Sequence, residues 1–534
     1  MKYQYYLFIL SFLLISCEEE VPPLTYTLTT QVNPTEGGSV FPSSGEYNEG
    51  DQVTVDATAN QYFLFDKWGG NGNGSNSNPL IVTINSNITL VAEFKLIDDD
   101  NDGVTDELDN CPDTPSGLSV DENGCAISQL DSDNDGVTDD KDQCSDTPEN
   151  TDVNEDGCSF IYLAENGVTL KASDFSEIEK EYLFNGETYI ISPKDFPISW
   201  ISSYPLNLII TSNVTDMGNL FEGKRIDEDI SSWDVSKVIN MKNMFRQSQG
   251  HENFTVSNWD VSNVTNMEAM FEQTGFNLDI SNWNVGKVTN MRNTFAKNSD
   301  FNQDIGNWDV SNVTDMYGMF RNSVFDKDLN NWDVSNVLNM QEMFWNSVFN
   351  SDISNWDVSN VTEMRFMFWN SKFNKDISNW DVGNVQNMDK MFWESKFNGD
   401  ISDWNVGNVK IMHRMFGKSS FLGDLSKWDV SNVTDMMFMF YYSEYNRDIS
   451  SWNIKNVTSM ESMFHGTSLF NQDISSWDTN NVTNMWEMFK NASSFNQDLS
   501  GWDVSNVTKC SEFKLDATNY ILPIPNFTLC NPDG

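Results

Sequence analysis

The chain has 534 residues, of which 80 are acidic and 31 basic, and its formal net charge is −49 at pH 7. A surface of this sign repels nucleic acid and anionic membrane surfaces, so we expect neither as a direct partner. Three histidines leave little for catalysis that relies on histidine, and we expect a protein that is not an enzyme. Length and shifts in local composition predict several domains. In chain order these are a signal peptide (1–16), an acidic tether (17–24), a small β module (25–97), an acidic stalk (98–158), a cap (159–210), a repeat array (211–509) and a second cap (510–534).

The N-terminus has the layout of an export signal. A lysine at position 2 precedes an apolar run that is too short to span a membrane. The run ends in Leu14-Ile15-Ser16-Cys17, which resembles a bacterial lipobox and implies lipidation of Cys17. An ordinary secretory signal with an incidental cysteine is the alternative. Glu18-Glu19-Glu20 resembles the signal that sends Bacteroidetes-type lipoproteins to the outer face of the outer membrane, so the only expected membrane contact is the lipid anchor.

Residues 25–97 are rich in threonine, valine, glycine and aromatic side chains. Alternation in Thr25-Tyr26-Thr27-Leu28 and in Gln52-Val53-Thr54-Val55 predicts strands separated by turns. The segment resembles the Listeria–Bacteroides repeat, a small β-grasp-like or β-sandwich-like module of surface proteins. That resemblance implies a spacing role, with direct binding as the alternative.

Residues 98–158 carry an acidic motif that recurs after 33 residues, with 21 acidic residues and one basic residue. The spacing D-x-D-x-D-G-x-x-D-x-x-D places hard oxygen ligands around a tight glycine turn, which suits Ca²⁺. Without cations the segment should repel itself and stay disordered. A flexible linker that binds ions loosely is the alternative. The motif resembles thrombospondin type-3 repeats. The candidate calcium ligands are Asp98, Asp100, Asp102, Asp106, Asp109, Asp131, Asp133, Asp135, Asp139 and Asp142.

Six cysteines remain apart from Cys17, and an even number in an exported protein favours disulfides. Zinc is not expected, because no C-x-x-C or nearby histidine accompanies them. Four of the six lie in the stalk and allow three pairings, which stay open, while the last two would close the C-terminal end. The candidates are Cys111, Cys125, Cys144, Cys158, Cys510 and Cys530.

From 211 to 509 one motif, F-N-x-D-I-S-x-W-D-V-S-N-V-T-x-M-x-x-M-F, recurs about every 24 residues. A fixed period of this length indicates a solenoid, in which each unit buries its apolar face against its neighbours. Helical spacing predicts a short helix over 313–320, and the apolar residues of 305–310 predict a short strand. In the preceding cap, strands are expected at 161–163, 168–170 and 188–191. The predicted fold class is therefore multidomain, with an α/β solenoid of short strands and helices, a small all-β module and a calcium-binding stalk.

Two residues recur in nearly every unit. The tryptophan should lie in the core, and the asparagine before valine should be buried and satisfy backbone groups at each corner. These repeats resemble the surface-protein repeats of mycoplasma lipoproteins and the related BspA-like leucine-rich repeats of bacterial surface proteins. The resemblance implies a surface interaction protein. The tryptophans are Trp233, Trp259, Trp283, Trp308, Trp332, Trp356, Trp380, Trp404, Trp428, Trp452, Trp477 and Trp502.

One position departs from the motif in successive units. Trp345, Trp369 and Trp393 follow the Met-Phe pair where other units carry charged residues, and Tyr441 follows two units later. Because the position tolerates charge elsewhere, it should face solvent and form an aromatic strip suited to a protein or a sugar. Packing that merely stiffens the array is the alternative. A recurrent aspartate, as in Asp304, should bond to backbone in a turn, with cation bridging as the alternative.

The sequence thus predicts a lipid-anchored surface protein that adheres to, or recognises, an unidentified surface protein or glycan. The alternative is an architectural spacer without a ligand. A hydrolase is not expected, because no isolated carboxylate pair stands out when every unit carries the same acids.

Overall fold

A computed structural model describes residues 21–534, so Cys17 and the export signal lie outside the described residues. The described residues divide into two compact units. The first contains those up to Thr147 together with Asn154–Cys158, and the second contains Pro148–Val153 and Ser159–Gly534. Among the described residues, no helix combines the length and the apolar character needed to cross a bilayer.

The first unit begins with a β sandwich. Its four-stranded sheet has the order β3-β1-β7-β5, in which β1 and β7 are parallel, and its three-stranded sheet has the order β2-β4-β6. Alternate side chains of both sheets meet in one core that contains Leu28, Val55 and Trp68. The alternation of the sequence therefore produces two sheets that share a core. The strands are β1 (Thr25–Asn33), β2 (Gly38–Phe41), β3 (Gly45–Asn48), β4 (Gln52–Ala59), β5 (Phe63–Gly70), β6 (Leu80–Thr83) and β7 (Ile88–Leu96).

The predicted disulfides form, and the structure selects one of the three possible pairings in the stalk. Each stalk disulfide joins cysteines 14 residues apart, and the third joins cysteines 20 residues apart. The two stalk disulfides are equivalent under the 33-residue repeat, so each motif is closed by its own covalent link. The pairs are Cys111–Cys125, Cys144–Cys158 and Cys510–Cys530.

The second unit starts with small sheets that cover the first repeat. Strands β8 and β9 pair with each other, and β10, β11 and β12 form a second sheet. Leu206, just before β12, accepts a hydrogen bond at 2.8 Å from the indole of Trp233. These strands lie close to the predicted ones. Their bounds are β8 (Ile161–Leu163), β9 (Leu170–Ala172), β10 (Glu181–Phe184), β11 (Glu187–Ile191) and β12 (Ile209–Ile210), with 3-10 helices at Ile198–Ser202 and Leu206–Leu208.

The repeats contain neither the helix nor the strand that the sequence predicted. No α-helix forms anywhere between residues 21 and 534, and isolated parallel bridges rather than strands join successive repeats, such as Asp315 to Asn339. The fold is therefore mostly non-helical, with small sheets and stacked turns. The prediction of an α/β array was wrong in this respect.

The hydrogen-bond partners of the backbone amides explain why the helix prediction was wrong. An α-helix needs every amide to bond four residues back within the same segment. Here Gly318 and Phe320 donate instead to the carbonyls of Gln341 and Met343 in the next repeat, at 2.8 and 3.0 Å. Gly318 and Asn322 have φ angles of 61° and 53°, in the left-handed region, which interrupts a right-handed helix. Alternate amides thus link neighbouring repeats, and those between them close turns within a repeat.

The apolar positions form continuous ladders in the core. Phe320 stacks on Phe344 at 5.9 Å and Phe344 on Phe368 at 5.7 Å, while the consensus tryptophans stack in the same way. The tryptophans of the motif are buried, as expected, and its methionines are buried as well. The helical spacing of the apolar residues in 313–320 therefore arises because two consecutive turns bury one side each, and not because the segment is a helix.

Two polar groups tie each repeat to the one before it. The indole nitrogen of Trp356 donates to the carbonyl of Leu329 at 2.9 Å. The side chain of Asn336 donates to the carbonyl of Ser311 at 2.8 Å. The asparagines therefore satisfy backbone groups as predicted, but they are exposed rather than buried, because the corner they bridge lies at the surface.

One indole differs from the others in the array. Trp259 is as buried as Trp356, each being 3% exposed, yet its Nε1 atom has no hydrogen-bond partner. It follows the longest interval between consensus tryptophans, 26 residues after Trp233.

We predict that Trp356→Phe lowers the free energy of unfolding by about 1–2 kcal/mol more than Trp259→Phe does, because only the first substitution removes an indole hydrogen bond. Both substitutions remove a similar buried area, so their difference isolates the hydrogen bond. Denaturant titration followed by circular dichroism measures it. Equal destabilisation by the two substitutions would contradict the prediction.

Candidate functional site

The acidic stalk forms two equivalent trios of carboxylates. Donor oxygens of Asp98, Asp100 and Asp102 lie within 4.8 Å of one another, and those of Asp131, Asp133 and Asp135 do the same. Four carboxylate oxygens in these trios are buried without a hydrogen-bond partner. They are Asp98 Oδ1, Asp102 Oδ2, Asp133 Oδ1 and Asp135 Oδ2.

The remaining predicted ligands support the loops around the trios. Asp106 accepts the amide of Asp99 at 2.9 Å, and Asp139 accepts that of Ser132 at 2.8 Å. Asp109 accepts the amide of Cys111 at 2.7 Å, and the equivalent Asp142 accepts that of Cys144 at the same distance. One oxygen of each of these four carboxylates therefore holds the loop around a trio in place.

Charge repulsion is evident in the second trio. Burial raises the pKa of Asp135, and the neighbouring carboxylates of Asp133, Asp142 and Asp131 raise it further. Unpaired, clustered oxygen atoms of this kind fit a hard divalent cation, which would neutralise them. The donor set therefore fits Ca²⁺ in both copies.

The recurrent aspartates of the repeats have a different role. Asp376 accepts the backbone amide of Ser378 at 2.9 Å, and Asp400 accepts that of Ser402 at 2.9 Å. These hydrogen bonds hold the pKa of both carboxyls below its ordinary value. Each aspartate thus closes a turn, which is the simpler of the two interpretations of this ladder.

The aromatic strip, Trp345, Trp369, Trp393 and Tyr441, lies along one partly exposed edge of the repeats. Trp345 stacks on Trp369 with ring centroids 4.7 Å apart, and Trp393 stacks on Tyr441 at 5.9 Å. Trp369 and Trp393 do not stack on each other. The strip is therefore two aromatic pairs with a break between them.

Trp393 reaches Tyr441 across an intervening repeat because that repeat has glycine at the same position. A Cβ atom on Gly417 would lie 2.3 Å from the indole ring of Trp393. The ring thus occupies the space that a side chain would fill. This single glycine permits the second aromatic pair.

Two cations line the break in the strip. The Nζ atom of Lys390 lies 5.2 Å from the ring centre of Trp369, and Cζ of Arg414 lies 5.7 Å from that of Trp393. Phe438 contacts the same guanidinium at 4.6 Å. The distances are within the range of cation–π contact.

Together these side chains enclose an open groove of about 280 Å³, which we call the cationic groove. Its lining residues are Trp369, Lys390, Trp393, Arg414, Phe438 and Tyr441. The sequence predicted the three lining residues that follow the Met-Phe pair. It did not point to Lys390, Arg414 and Phe438, although all three fill one equivalent position between the two methionines in consecutive repeats. Large or charged side chains at this variable position in consecutive repeats were the signal that could have found them.

The repeats match a known family. Residues 201–275, 249–347, 322–422, 345–444 and 417–527 each match the family described as "Mycoplasma protein of unknown function, DUF285". These overlapping matches cover more than half of the chain, so the chain belongs to that family. Residues 28–98, which contain the β sandwich, match the divergent InlB B-repeat domain. The two matches support a bacterial surface repeat protein.

Short stretches are similar to two characterised proteins. Outer membrane porin F of Pseudomonas aeruginosa is 64% identical over 28 residues, which are 5% of this chain and 8% of that protein. Alpha-agarase of Thalassotalea agarivorans is 66% identical over 30 residues, which are 6% of this chain and 2% of that protein. The chain thus spans less than a tenth of either relative. No solved structure matches it.

We predict that Gly417→Ala displaces the indole of Trp393 from Tyr441, because the new methyl group would overlap the ring. Gly501→Ala is the control, since a Cβ atom there meets no atom within 4 Å. Fluorine NMR of 5-fluorotryptophan-labelled protein measures the change, with the Trp393 resonance assigned by its loss in Trp393→Phe. A Trp393 resonance that stays in place in Gly417→Ala would refute the proposed packing.

Proposed function

We propose that this chain is a lipid-anchored protein of the bacterial outer membrane that recognises a surface protein or glycan through a repeat solenoid. The observation that carries the proposal is the aromatic strip with its cationic groove. Four large aromatic side chains and two cations lie at variable positions on one partly exposed edge, while the core positions of the same repeats keep the motif.

The aromatic strip has properties that favour binding over stiffening. Within each pair the aromatic rings stack on each other. Packing that only stiffens the array would be served by continuous stacking, so it does not account for the break between Trp369 and Trp393. Aromatic residues and arginine are also the side chains that most often dominate binding energy at interfaces. An architectural spacer remains the second candidate, favoured by the regular ladder that runs through the whole array.

We propose that the N-terminal segments hold this array away from the membrane. Lipid attached to Cys17 would anchor the chain, and the β sandwich and stalk would follow as spacers. Asp98, Asp100 and Asp102, with Asp131, Asp133 and Asp135, would hold calcium. When bound, Ca²⁺ would neutralise the clustered carboxylates, so that each loop could order around its disulfide.

We propose binding rather than catalysis. Ser248 and His251 could be read as a nucleophile and a base, because Oγ of Ser248 lies 2.8 Å from Nε2 of His251. Both residues are buried, and the hydroxyl of Ser248 also donates to the carbonyl of Phe245 at 2.6 Å. Burial lowers the pKa of His251, which disfavours its charged form. This pair is therefore a satisfied part of the core.

The binding proposal predicts that Trp345→Ala, Trp369→Ala and Trp393→Ala together weaken a specific interaction by about tenfold or more, since truncating an anchor aromatic typically costs at least about 2 kcal/mol. The purified chain from Glu18 onward would be applied to glycan and surface-protein arrays. Trp486→Ala is the control, because Trp486 is 41% exposed in a different repeat.

Matched melting curves confirm that the triple variant is folded. A specific signal lost only in the triple variant supports recognition by the strip. If the wild-type chain binds no array member above background, the spacer function is favoured instead.

The calcium proposal predicts that Asp102→Asn with Asp135→Asn weakens Ca²⁺ binding by about tenfold or more, because each substitution removes a ligand charge. Asp113→Asn with Asp146→Asn makes the same charge change at exposed positions that are also 33 residues apart. Isothermal titration calorimetry with CaCl₂ measures both variants. Equal affinities in the two variants would show that the trios are not the sites.

A further inference from the structure

We propose that the cationic groove binds a glycan through an isolated sugar carboxylate, which Lys390 and Arg414 hold between the two aromatic pairs. This inference rests on the proposed recognition function and names its ligand class. It follows from the charge, the walls and the size of the groove.

The first observation is that both cations lack a carboxylate partner in a strongly acidic protein. The chain has 80 acidic side chains and only 31 basic ones. Yet no ion pair forms at Lys390 or Arg414 among the residues that the structure describes. The carboxylate next to Lys390 belongs to Asp389, which lies 3.1 Å from Nδ1 of His413 instead.

Burial and mutual repulsion make these charges costly to bring together. Burial lowers the pKa of Lys390, and the nearby Arg414 and Arg365 act in the same direction, against Asp389. An anion in the groove would give both cations a partner and would raise the pKa of Lys390 again. Arg414 also presents a planar fork that matches a carboxylate in two parallel hydrogen bonds.

The second observation is that the groove offers side chains but no free backbone. The amides of Phe366, Phe368 and Asn370 donate to the next repeat at 2.9, 2.9 and 2.8 Å, and that of Lys390 donates onward at 2.8 Å. An extended peptide that adds a strand needs such amides to be free. Aromatic walls with a few polar groups suit a sugar ring, which carries apolar C–H faces and needs no backbone ladder.

The third observation concerns the size and the surroundings of the groove. Its volume of about 280 Å³ lies just below the range of about 300–1,000 Å³ found for small-molecule pockets, so it holds a small part of a larger ligand. A densely charged polyanion would be repelled by a chain with a net charge of −49. One carboxylate on an otherwise neutral glycan avoids that repulsion.

The test is calorimetric titration of the chain from Glu18 onward with two acidic probes and their neutral counterparts. The probes are xylotetraose with one glucuronic acid branch, beside its carboxyl-reduced form, and sialyllactose, beside lactose. The two pairs distinguish a uronate from a sialate. A glutamate-containing heptapeptide tests an acidic peptide.

We expect at least one acidic probe to bind, at least tenfold more tightly than its neutral counterpart, with an affinity that falls as salt rises. Lys390→Gln with Arg414→Gln should weaken binding about tenfold or more. Lys372→Gln with Lys396→Gln is the control, because it makes the same charge change in the same region at exposed lysines, and it should leave affinity within about twofold.

Several results would overturn the inference. These are failure of both acidic probes to bind, equal binding of the neutral sugars, preference for the peptide, and equal loss in the two double variants. If an array ligand is lost with the triple tryptophan variant but kept by Lys390→Gln with Arg414→Gln, recognition stands and the sugar-carboxylate assignment fails. If neither variant affects any interaction, both fail.

Discussion

The backbone hydrogen bonds between neighbouring repeats are the constraint on which the rest of this structure depends. Every second amide of the segment around the two methionines donates to the next repeat, as Gly318 and Phe320 do to Gln341 and Met343. This fixes the register of successive repeats, so equivalent positions fall on one line. The phenylalanine and tryptophan ladders and the indole hydrogen bonds follow from that alignment, whereas each aspartate turn closes within a single repeat.

The same alignment turns single departures from the motif into a surface. Trp369 and Trp393 occupy equivalent positions in consecutive repeats, and Lys390 and Arg414 do so one short turn away. Stacking then places all four around one groove. A repeat protein can therefore change its surface while its core stays constant, because core and surface positions alternate within each turn. Because the core positions are shared by all repeats, the residues of the groove distinguish this protein better than the motif does.

The stalk is stabilised differently from the β sandwich and the repeats. Those two parts bury apolar side chains, whereas the stalk buries almost none and has two disulfides instead. Repulsion within the trios, visible in the raised pKa of Asp135, opposes the folded form of the stalk. A bound divalent cation would remove that repulsion and would couple the order of the stalk to its ionic surroundings.

The sequence by itself determined the period of the repeats, the burial of Trp356, the strand pattern of the β sandwich and the two acidic motifs of the stalk. Period, apolar pattern and ligand spacing are local properties. Only the tertiary structure decided that 313–320 forms turns, because helix and turns share the same apolar spacing and differ in whether an amide bonds within or between repeats. Likewise, the pairing of Cys111 with Cys125, the break in the aromatic strip and the role of Gly417 depend on contacts between residues distant in sequence, which local spacing does not specify.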